Sequence, residues 1–371
     1  MPLLPKWSLP GGAQGVCVFI FVLVAYTVQT EAIKYVQHFA GYNKPLLLLY
    51  VTHSSFIALL PAYLFVLWLT GRYPAGVTTT LKRKISLHAN ILGRRLGITH
   101  SPLSGAERSY IMTGMIVILT VGLTVPSLSW FFAVPFTSMG CITSIYNTFS
   151  IWAMLLAVFV LGESWGIRDA VAVICACVGV TLVAFGSPNG STTNAPFAII
   201  GNALALLGAI SMAGYEIVYR IIAVFDEDEQ GVAYAPLSRE EEEESQSSVY
   251  YPKLPFGLYA ITMTTGIGLS TLALFWIPLL AAHLCGFETI ELPTNTSTCV
   301  VIGISIMCGV LFNGAFTVLL SLWGPVLASV SCLLTTVFVQ IADMALGMPV
   351  TWMSIFGCSI VTAGFACLVW S

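Results

Sequence analysis

The sequence predicts an all-α polytopic membrane protein, with ten transmembrane helices arranged as two inverted five-helix repeats. Three observations lead to this fold class. The 371 residues are 57% hydrophobic and only 8% charged, whereas soluble domains carry roughly 25% charged residues. The apolar residues form runs long enough to cross a bilayer as helices, for which about 17–25 residues suffice. Small and charged residues also recur at one spacing in the two halves of the chain.

The apolar runs are predicted to be helices because hydrocarbon offers no partner to a backbone N–H or C=O. The alternating pattern of a membrane barrel is absent from the sequence. The first five predicted helices cover residues 15–36, 45–70, 110–132, 138–161 and 170–186. The second five cover residues 196–224, 256–283, 299–322, 325–346 and 350–370.

A spacing of 185 residues relates the two halves. It separates four pairs of residues, namely Glu31 and Glu216, Gly162 and Gly347, Ala172 and Gly357, and Gly179 and Gly364. We therefore predict a first repeat over residues 1–187 and a second over residues 188–371. Because five is an odd number, the second copy must be inverted. Inverted repeats are typical of secondary transporters, whose substrate site lies near mid-membrane between the repeats. The small residues at 172, 179, 357 and 364 are predicted to allow close helix packing.

The basic residues predict the orientation. With both termini in the cytosol, twelve of the fourteen Lys and Arg residues lie on the cytosolic side, as the positive-inside rule requires. The sequons at Asn189 and Asn295 then lie on the far side, where glycosylation is possible. Residues 225–255 carry two acidic runs and are predicted to be a disordered cytosolic linker. Ser245, Ser247 and Ser248 in this linker are candidate phosphorylation sites, and plain solvation is the alternative. The first fifteen residues lack a basic n-region, so no removable signal peptide is expected.

The Gly162-Glu163 pair closes the fourth predicted helix, and a glycine-bearing fifth helix follows over residues 166–186. These features resemble the drug/metabolite transporter superfamily. In the sixth helix, residues 214–220 (GYEIVYR) are similar to a Tyr-x-Val-Leu-Tyr-Lys segment of EamA-like eukaryotic solute carriers. Within these, the chain is most similar to the fungal vacuolar thiamine-transporter-like group. The resemblance covers nearly the whole chain and implies ten helices in two inverted halves, a transport function, and an endomembrane location in the vacuole or Golgi.

The chain departs from this family pattern in two places. Met348 stands where the second half would carry the glutamate of the Gly-Glu pair. The Lys-Thr signature of nucleotide-sugar carriers is missing from the ninth helix. The second departure weakens the case for a nucleotide-sugar substrate.

Two carboxylates inside predicted spans are candidate substrate or ion sites, because such charges are costly in a membrane and tend to be functional. Glu31 shares a helix face with Lys34, and Glu216 shares one with Arg220. The functional interpretation is a pair of gates or ion-coupling groups related by the repeat. The alternative is two neutralised pairs whose basic ends reach the membrane interface. From the predicted boundaries the two carboxylates lie roughly 15–20 Å apart along the membrane normal.

Further polar side chains in the spans are candidates for a hydrated central cavity. The ninth predicted helix carries a polar stripe of Cys332, Thr336, Gln340 and Asp343. The other members of the candidate set are Asn147, Tyr215 and Asn313. The alternative is hydrogen bonding between helices, which contributes only about 0.6–2 kcal/mol per bond.

The charge distribution bears on the solute. No Lys or Arg follows Lys253, whereas Asp343 offers a negative charge. This favours a cationic or neutral organic metabolite over an anionic one, although Lys34, Arg220 and helix N-termini could still hold an anion. We therefore predict a secondary transporter working by alternating access. A nucleotide-sugar or other anionic-metabolite antiporter is one alternative, and a channel or transport-silent scaffold of the same fold is another.

No enzymatic activity, cofactor or metal site is expected, because the sequence contains no catalytic or metal-binding motif. The expected partners are a small-molecule solute, a proton or another coupling ion, and membrane lipid. Nucleic acid is not among them, and a homodimer is one candidate assembly. Cys285 and Cys299 flank one far-side loop, where they could form a disulfide or remain two free thiols.

Overall fold

The computed structural model describes residues 10–36, 40–42, 44–98, 103–133, 136–137, 139–186, 198–224, 254–347 and 350–370. Across these residues the regular structure is entirely helical. The longer helices are α1 (Gly12–Lys34), α2 (Pro45–Ser54), α3 (Leu59–Leu69), α4 (Val77–Arg95), α5 (Gly105–Ala133), α6 (Met139–Tyr146), α7 (Phe149–Leu156), α8 (Ile167–Gly186), α9 (Ala198–Ile222), α10 (Leu258–Leu274), α11 (Trp276–Leu284), α12 (Thr296–Ala345) and α13 (Trp352–Trp370). Nine helical stretches of the described chain are long and apolar enough to cross a membrane. The predicted class, an all-α multi-pass membrane protein, is confirmed.

The 50-residue helix α12 is interrupted at Gly324, whose φ of 73° and ψ of 176° are not helical. An unbroken helix of this length would measure about 75 Å, more than twice the hydrocarbon thickness of about 30 Å. Pro325 follows the interruption and suits the first turn of a new helix, where the missing N–H costs nothing. We call residues 296–323 the first arm of α12 and residues 325–345 its second arm. The break lies between the eighth and ninth predicted helices.

Three spans that were predicted as continuous helices are interrupted. A 3₁₀ turn, Ser55–Ala58, separates α2 from α3. A π-helical turn, Ala157–Leu161, follows α7, and Phe275 separates α10 from α11. The 3₁₀ turn lies against Gly268, where a Cβ atom would be 2.6 Å from the backbone nitrogen of Ile57. Such changes of helix type are frequent at hinges, and an apolar sequence run does not reveal them.

Helix α4 lies in a segment that the sequence predicted only as a cytosolic loop. Val77, Leu81, His88 and Leu92 are buried on one side of this helix, at spacings that repeat with the helical period. The helix is too basic for a membrane span, so no apolar run in the sequence indicates it.

The two largest buried clusters of the described residues both include side chains of α9. The first cluster includes Tyr215 and Tyr219 of α9 with side chains of the 3₁₀ turn, α5, α10 and α12. The second includes Ala209 and Ile217 of α9 with side chains of α7, α8, α12 and α13. Around this centre, α1 packs against α12, α5 against α9, and α8 against α13. Glu216, between Tyr215 and Ile217, therefore lies where the two clusters meet.

A buried carboxylate fixes the first turn of α2. Glu288 is 6% exposed, and its two oxygens accept hydrogen bonds from the backbone N–H groups of Leu46 and Leu47, each at 2.9 Å. Nearby, Lys44 donates to the Thr289 hydroxyl and pairs with Glu291 at 3.5 Å. A carboxylate at a helix N-terminus is stabilised by the unpaired N–H groups and by the helix dipole. These contacts join the start of α2 to the loop after α11.

The loop between α11 and α12, which the sequence predicts on the far side, carries two of the sites singled out in the sequence. Cys285 and Cys299 are both free and exposed, so the structure has two thiols and no bridge between them. Asn295 is exposed and its Oδ1 accepts a hydrogen bond from the Ser297 N–H at 3.1 Å, which caps α12. Asn189 and most of the acidic linker 225–255 lie outside the described residues.

Candidate functional site

Glu216 is the central residue of the candidate site. Its side chain is fully buried on α9, and neither carboxylate oxygen has a hydrogen-bond partner among the described residues. A buried charge without compensation costs several kcal/mol or more. The structure therefore holds an acidic group in the membrane interior whose hydrogen-bonding capacity is unused, which is typical of a functional site rather than of a packing element.

Side chains from two other helices lie near this carboxylate, and two further aromatic rings lie next to those side chains. Tyr146 of α6 and Cys332 of the second arm of α12 are close enough to Glu216 for electrostatic interaction. Tyr26 of α1 interacts in turn with Tyr146 and Cys332. The ring of Tyr26 lies 5.0 Å from that of Phe312 in the first arm of α12. We call Tyr26, Tyr146, Glu216, Phe312 and Cys332 the central cluster.

A glycine on α9 makes room for one of these rings. Gly208 has no side chain, and a Cβ atom there would lie 3.1 Å from Cε2 of Tyr146. Gly208 and Glu216 are eight residues apart, so they share one face of α9. The same face therefore accommodates the aromatic ring and presents the acid. The side chains of Tyr26 and Tyr146 are each half-buried.

The basic residue one turn after Glu216 has another partner. Arg220 donates from Nη1 to the Ser321 carbonyl at 3.4 Å, and the Tyr219 hydroxyl lies 3.5 Å from the Ser321 hydroxyl. Thus Arg220 is directed at the first arm of α12 by a hydrogen bond that does not involve Glu216. Shared helix face alone did not produce the hydrogen-bonded pair that the i,i+4 spacing suggested.

Tyr215, next to Glu216 on α9, interacts electrostatically with Glu216 but packs its ring against α5. A Cβ atom added at Gly122 of α5 would lie 3.3 Å from Cδ2 of the Tyr215 ring. The Tyr215 hydroxyl is buried without a hydrogen-bond partner among the described residues. The structure therefore places Tyr215 in the core between α5 and α9.

Glu31 and Lys34 lie near the end of α1, beyond Tyr26. Glu31 is half-buried and five residues after Tyr26, which is about 7.5 Å further along the helix. The side chain of Lys34 lies outside the described part of the structure. Glu31 is therefore one and a half turns away from the α1 member of the central cluster.

Of the polar stripe on the second arm of α12, Cys332 belongs to the central cluster. Thr336, Gln340 and Asp343 are half-buried further along the same arm, roughly 6, 12 and 17 Å from Cys332 at 1.5 Å per residue. The two candidate asparagines bond within their own helices. Asn147 donates to the Thr143 carbonyl at 2.8 Å, and Asn313 donates to the Gly309 carbonyl at 2.9 Å.

Sequence reasoning missed Phe312, and among the polar members of the central cluster it missed Tyr26 and Tyr146. Both are polar aromatic residues in the interior of predicted spans, and Tyr146 adjoins the candidate Asn147. A search for hydroxyl-bearing aromatic residues near mid-span would have found them. Among the described residues, no group of three or more His, Cys, Asp or Glu side chains could hold a metal ion.

Comparison with known proteins supports the fold alone. Neither a family model nor a curated protein matches the chain. A solved structure described as "Crystal structure of protein" is similar over 96% of each chain, with a TM-score of 0.59 and 14% identity. At that identity the likeness extends to the overall arrangement of helices and carries no statement about function.

Proposed function

We propose that this protein is a secondary transporter for a small organic metabolite that is cationic or neutral, with a thiamine-like solute as one candidate. The observation that carries the proposal is the unpartnered carboxylate of Glu216 within the central cluster. An organic cation would supply the missing charge partner, and the rings of Tyr26, Tyr146 and Phe312 suit the flat or quaternary groups of such solutes through cation–π contact. Cys332 is a soft apolar neighbour that adds no positive charge.

The fold that we propose has ten spans in two inverted halves, 1–187 and 188–371, of the drug/metabolite transporter type. Two features support it. The interruption at Gly324 divides α12 into two arms, which brings nine spanning stretches to ten. Contacts between α8 and α13 also exchange under the 185-residue offset. Gly179 contacts Gly357, and Ala172 contacts Gly364. Gly364 lies 185 residues after Gly179, and Ala172 lies 185 residues before Gly357. Each contact is therefore the repeat-related copy of the other, as an inverted repeat requires.

In the proposed cycle the two halves rock about the central cluster, which is open to one side of the membrane at a time. The interruptions in the α2–α3, α6–α7 and α10–α11 spans provide places where these helices can bend, because irregular turns absorb changes in backbone angle. A proton or another ion is the proposed coupling partner, since Glu216 can bind either a cation or a proton. We place the protein in an endomembrane, vacuole or Golgi, with both termini in the cytosol.

An anionic-metabolite antiporter is less well supported. Residues 254–371 contain no Lys or Arg, and Arg220 already donates to a backbone carbonyl. The central cluster thus offers a phosphate no fixed positive charge among its members. Protection of the protein from heat by nucleoside monophosphates would nevertheless favour that alternative over ours.

A two-stage experiment tests the proposal. A thermal-shift screen of the purified protein against vitamins, polyamines, amino acids and nucleotides first selects a solute. Exchange of labelled for unlabelled solute is then measured in proteoliposomes. We expect saturable counterflow that falls about tenfold or more in Glu216→Gln, because a charge-assisted contact is lost. Glu291→Gln, the same chemical change in an exposed loop, should leave the rate unchanged. A channel or a scaffold would show no counterflow at all.

A further inference from the structure

Helix α4 lies across the ends of several spans at one membrane face. Arg95 donates from Nη1 to the Ile221 carbonyl at 3.1 Å, at the end of α9. The Nδ1 atom of His88 is hydrogen-bonded to the Tyr259 hydroxyl, at the start of α10. Arg108, at the start of α5, donates to the Ser86 hydroxyl. Because α4 contacts the ends of three spans, it lies along the membrane surface and does not cross it.

The segment that contains α4 is strongly basic. Residues 72–108 include seven Lys and Arg residues and one acidic residue, Glu107, which gives a net charge of +6. Lys82, Arg83 and Arg95 are exposed, and Arg94 is half-buried. The Ser104 N–H donates to the Glu107 carboxylate at 2.7 Å, and the Ser104 hydroxyl accepts from the Glu107 N–H at 3.3 Å, so the one acid is engaged in capping α5.

An apolar depression of about 300 Å³ adjoins the C-terminal end of α4. It is lined by Ile98, Ala106, Glu107, Tyr110 and Ile111, and Tyr110 is 80% exposed. The last turns of α4 border it, because a Cβ atom at Gly93 would lie 3.0 Å from Cδ1 of Ile111. A basic turn, Arg94–Arg95, is therefore followed directly by an exposed apolar surface.

We propose that α4 and this depression form a binding site for an anionic phospholipid of the adjacent leaflet. The phosphate headgroup lies at the basic residues of α4, and part of an acyl chain occupies the depression. A basic helix on the membrane surface attracts anionic headgroups, while the apolar depression distinguishes a lipid from a free anion. Through the contacts of α4 with α5, α9 and α10, the lipid would stabilise the arrangement of those helices. The site is separate from the central cluster and does not depend on the proposed transport function.

The test measures the thermal unfolding of the full-length purified protein in neutral detergent, titrated with phosphatidylserine or phosphatidylcholine. We expect phosphatidylserine to stabilise the protein at much lower concentration than phosphatidylcholine, with the difference shrinking as salt is raised. Each removed charge should weaken binding about fivefold, so that Lys82→Gln/Arg83→Gln/Arg94→Gln binds phosphatidylserine roughly a hundredfold more weakly. Arg168→Gln, which removes an exposed basic residue from α8, is the matched control and should bind like the wild type.

Three results would overturn the proposal. Equal binding of the two lipids would exclude selectivity for an anionic headgroup. Stabilisation by inorganic phosphate equal to that by phosphatidylserine would indicate a free-anion site without a lipid chain. A selectivity of the wild-type protein that does not change with salt would exclude the basic residues as its source, and this measurement stands even if the triple variant fails to fold.

Discussion

Gly179 of α8 and Gly357 of α13 lie backbone to backbone. A Cβ atom at Gly179 would be 2.7 Å from the Gly357 carbonyl oxygen, and one at Gly357 would be 2.6 Å from the Gly179 carbonyl oxygen. The contact is thus reciprocal. The added Cβ atom at Gly179 would also lie 2.8 Å from Cγ2 of Val361, and the one at Gly357 would lie 2.8 Å from Cγ2 of Val183. Close backbone approach of this kind maximises packing between membrane helices, where no hydrophobic force drives association.

The first prediction concerns this contact. Gly179→Ala or Gly357→Ala should destabilise the protein by about 1–3 kcal/mol, because the added methyl group must push two backbones apart. The measurement is the thermal unfolding midpoint in detergent. Gly114→Ala on α5, where nothing lies within 4 Å of the new atom, is the control and should be neutral. Equal stability of all three variants would show that α8 and α13 do not pack this closely.

The second prediction tests the aromatic rings of the central cluster. Tyr146→Leu should raise the half-saturating concentration of a cationic solute by about twofold to thirtyfold, since a cation–π contact contributes about 0.5–2 kcal/mol. Tyr146→Phe keeps the ring and should retain most of the affinity. Counterflow at varied solute concentration measures both variants. If Leu and Phe behave alike, the ring does not contact the solute.

The third prediction concerns the cap of α2. Glu288→Ala leaves the N–H groups of Leu46 and Leu47 without their acceptor, and we expect a loss of about 1–3 kcal/mol of stability. Glu291→Ala, which removes a carboxylate paired with Lys44 but largely exposed, should cost much less. Thermal unfolding of the two variants side by side decides the matter. A larger loss for the Glu291 variant would contradict the capping role.

The fourth prediction concerns His88, outside the spans. Burial is the main cause that lowers its pKa from 6.5 to about 4, with Arg95 and Lys84 lowering it further and a hydrogen bond to the Ile222 backbone opposing the shift. In the unfolded chain His88 therefore binds a proton as the pH falls below 6.5, whereas in the folded protein it binds one only near pH 4. Stability from this group is complete above pH 6.5 and is lost as the pH falls through that window.

His88→Gln removes this titration. Between about pH 7 and about pH 5, the variant should lose about 2 kcal/mol less stability than the wild-type protein, whatever other groups contribute equally to both. Unfolding midpoints across that range in one detergent provide the measurement. Parallel pH profiles for the two proteins would mean that His88 titrates normally in the folded state.

The fifth prediction concerns the sequon at Asn295. Its Oδ1 caps α12, whereas glycosylation takes place on Nδ2, so a glycan and the cap are compatible. Expression in a secretory host should give an endoglycosidase-sensitive mass that falls by one glycan in Asn295→Gln. Thr294→Gln, next to the sequon and exposed, should keep the full mass. An Asn295 without glycan in a host that modifies Asn189 would contradict the proposed orientation of this loop.

The class of the protein and the positions of its spans follow from the amino-acid sequence alone. In hydrocarbon each backbone N–H and C=O must be satisfied within its own helix, so an apolar run is enough to define a span without knowledge of its neighbours. The same locality explains why the interruption at Gly324 could be placed between residues 322 and 325. A glycine followed by a proline imposes its effect on the chain where it stands.

Which polar groups meet depends on how the helices pack against one another. Glu216 was a candidate in the sequence, but its proximity to Tyr146 and Cys332 depends on how three helices are rotated and how closely they approach. Gly208 makes room for the Tyr146 ring, but a glycine carries no charge or polar group that would mark it as part of a site in the sequence. Likewise, Arg220 donates a hydrogen bond to the Ser321 carbonyl on another helix and not to Glu216 one turn away. Contacts between helices depend on residues distant in the chain, and no local pattern encodes them.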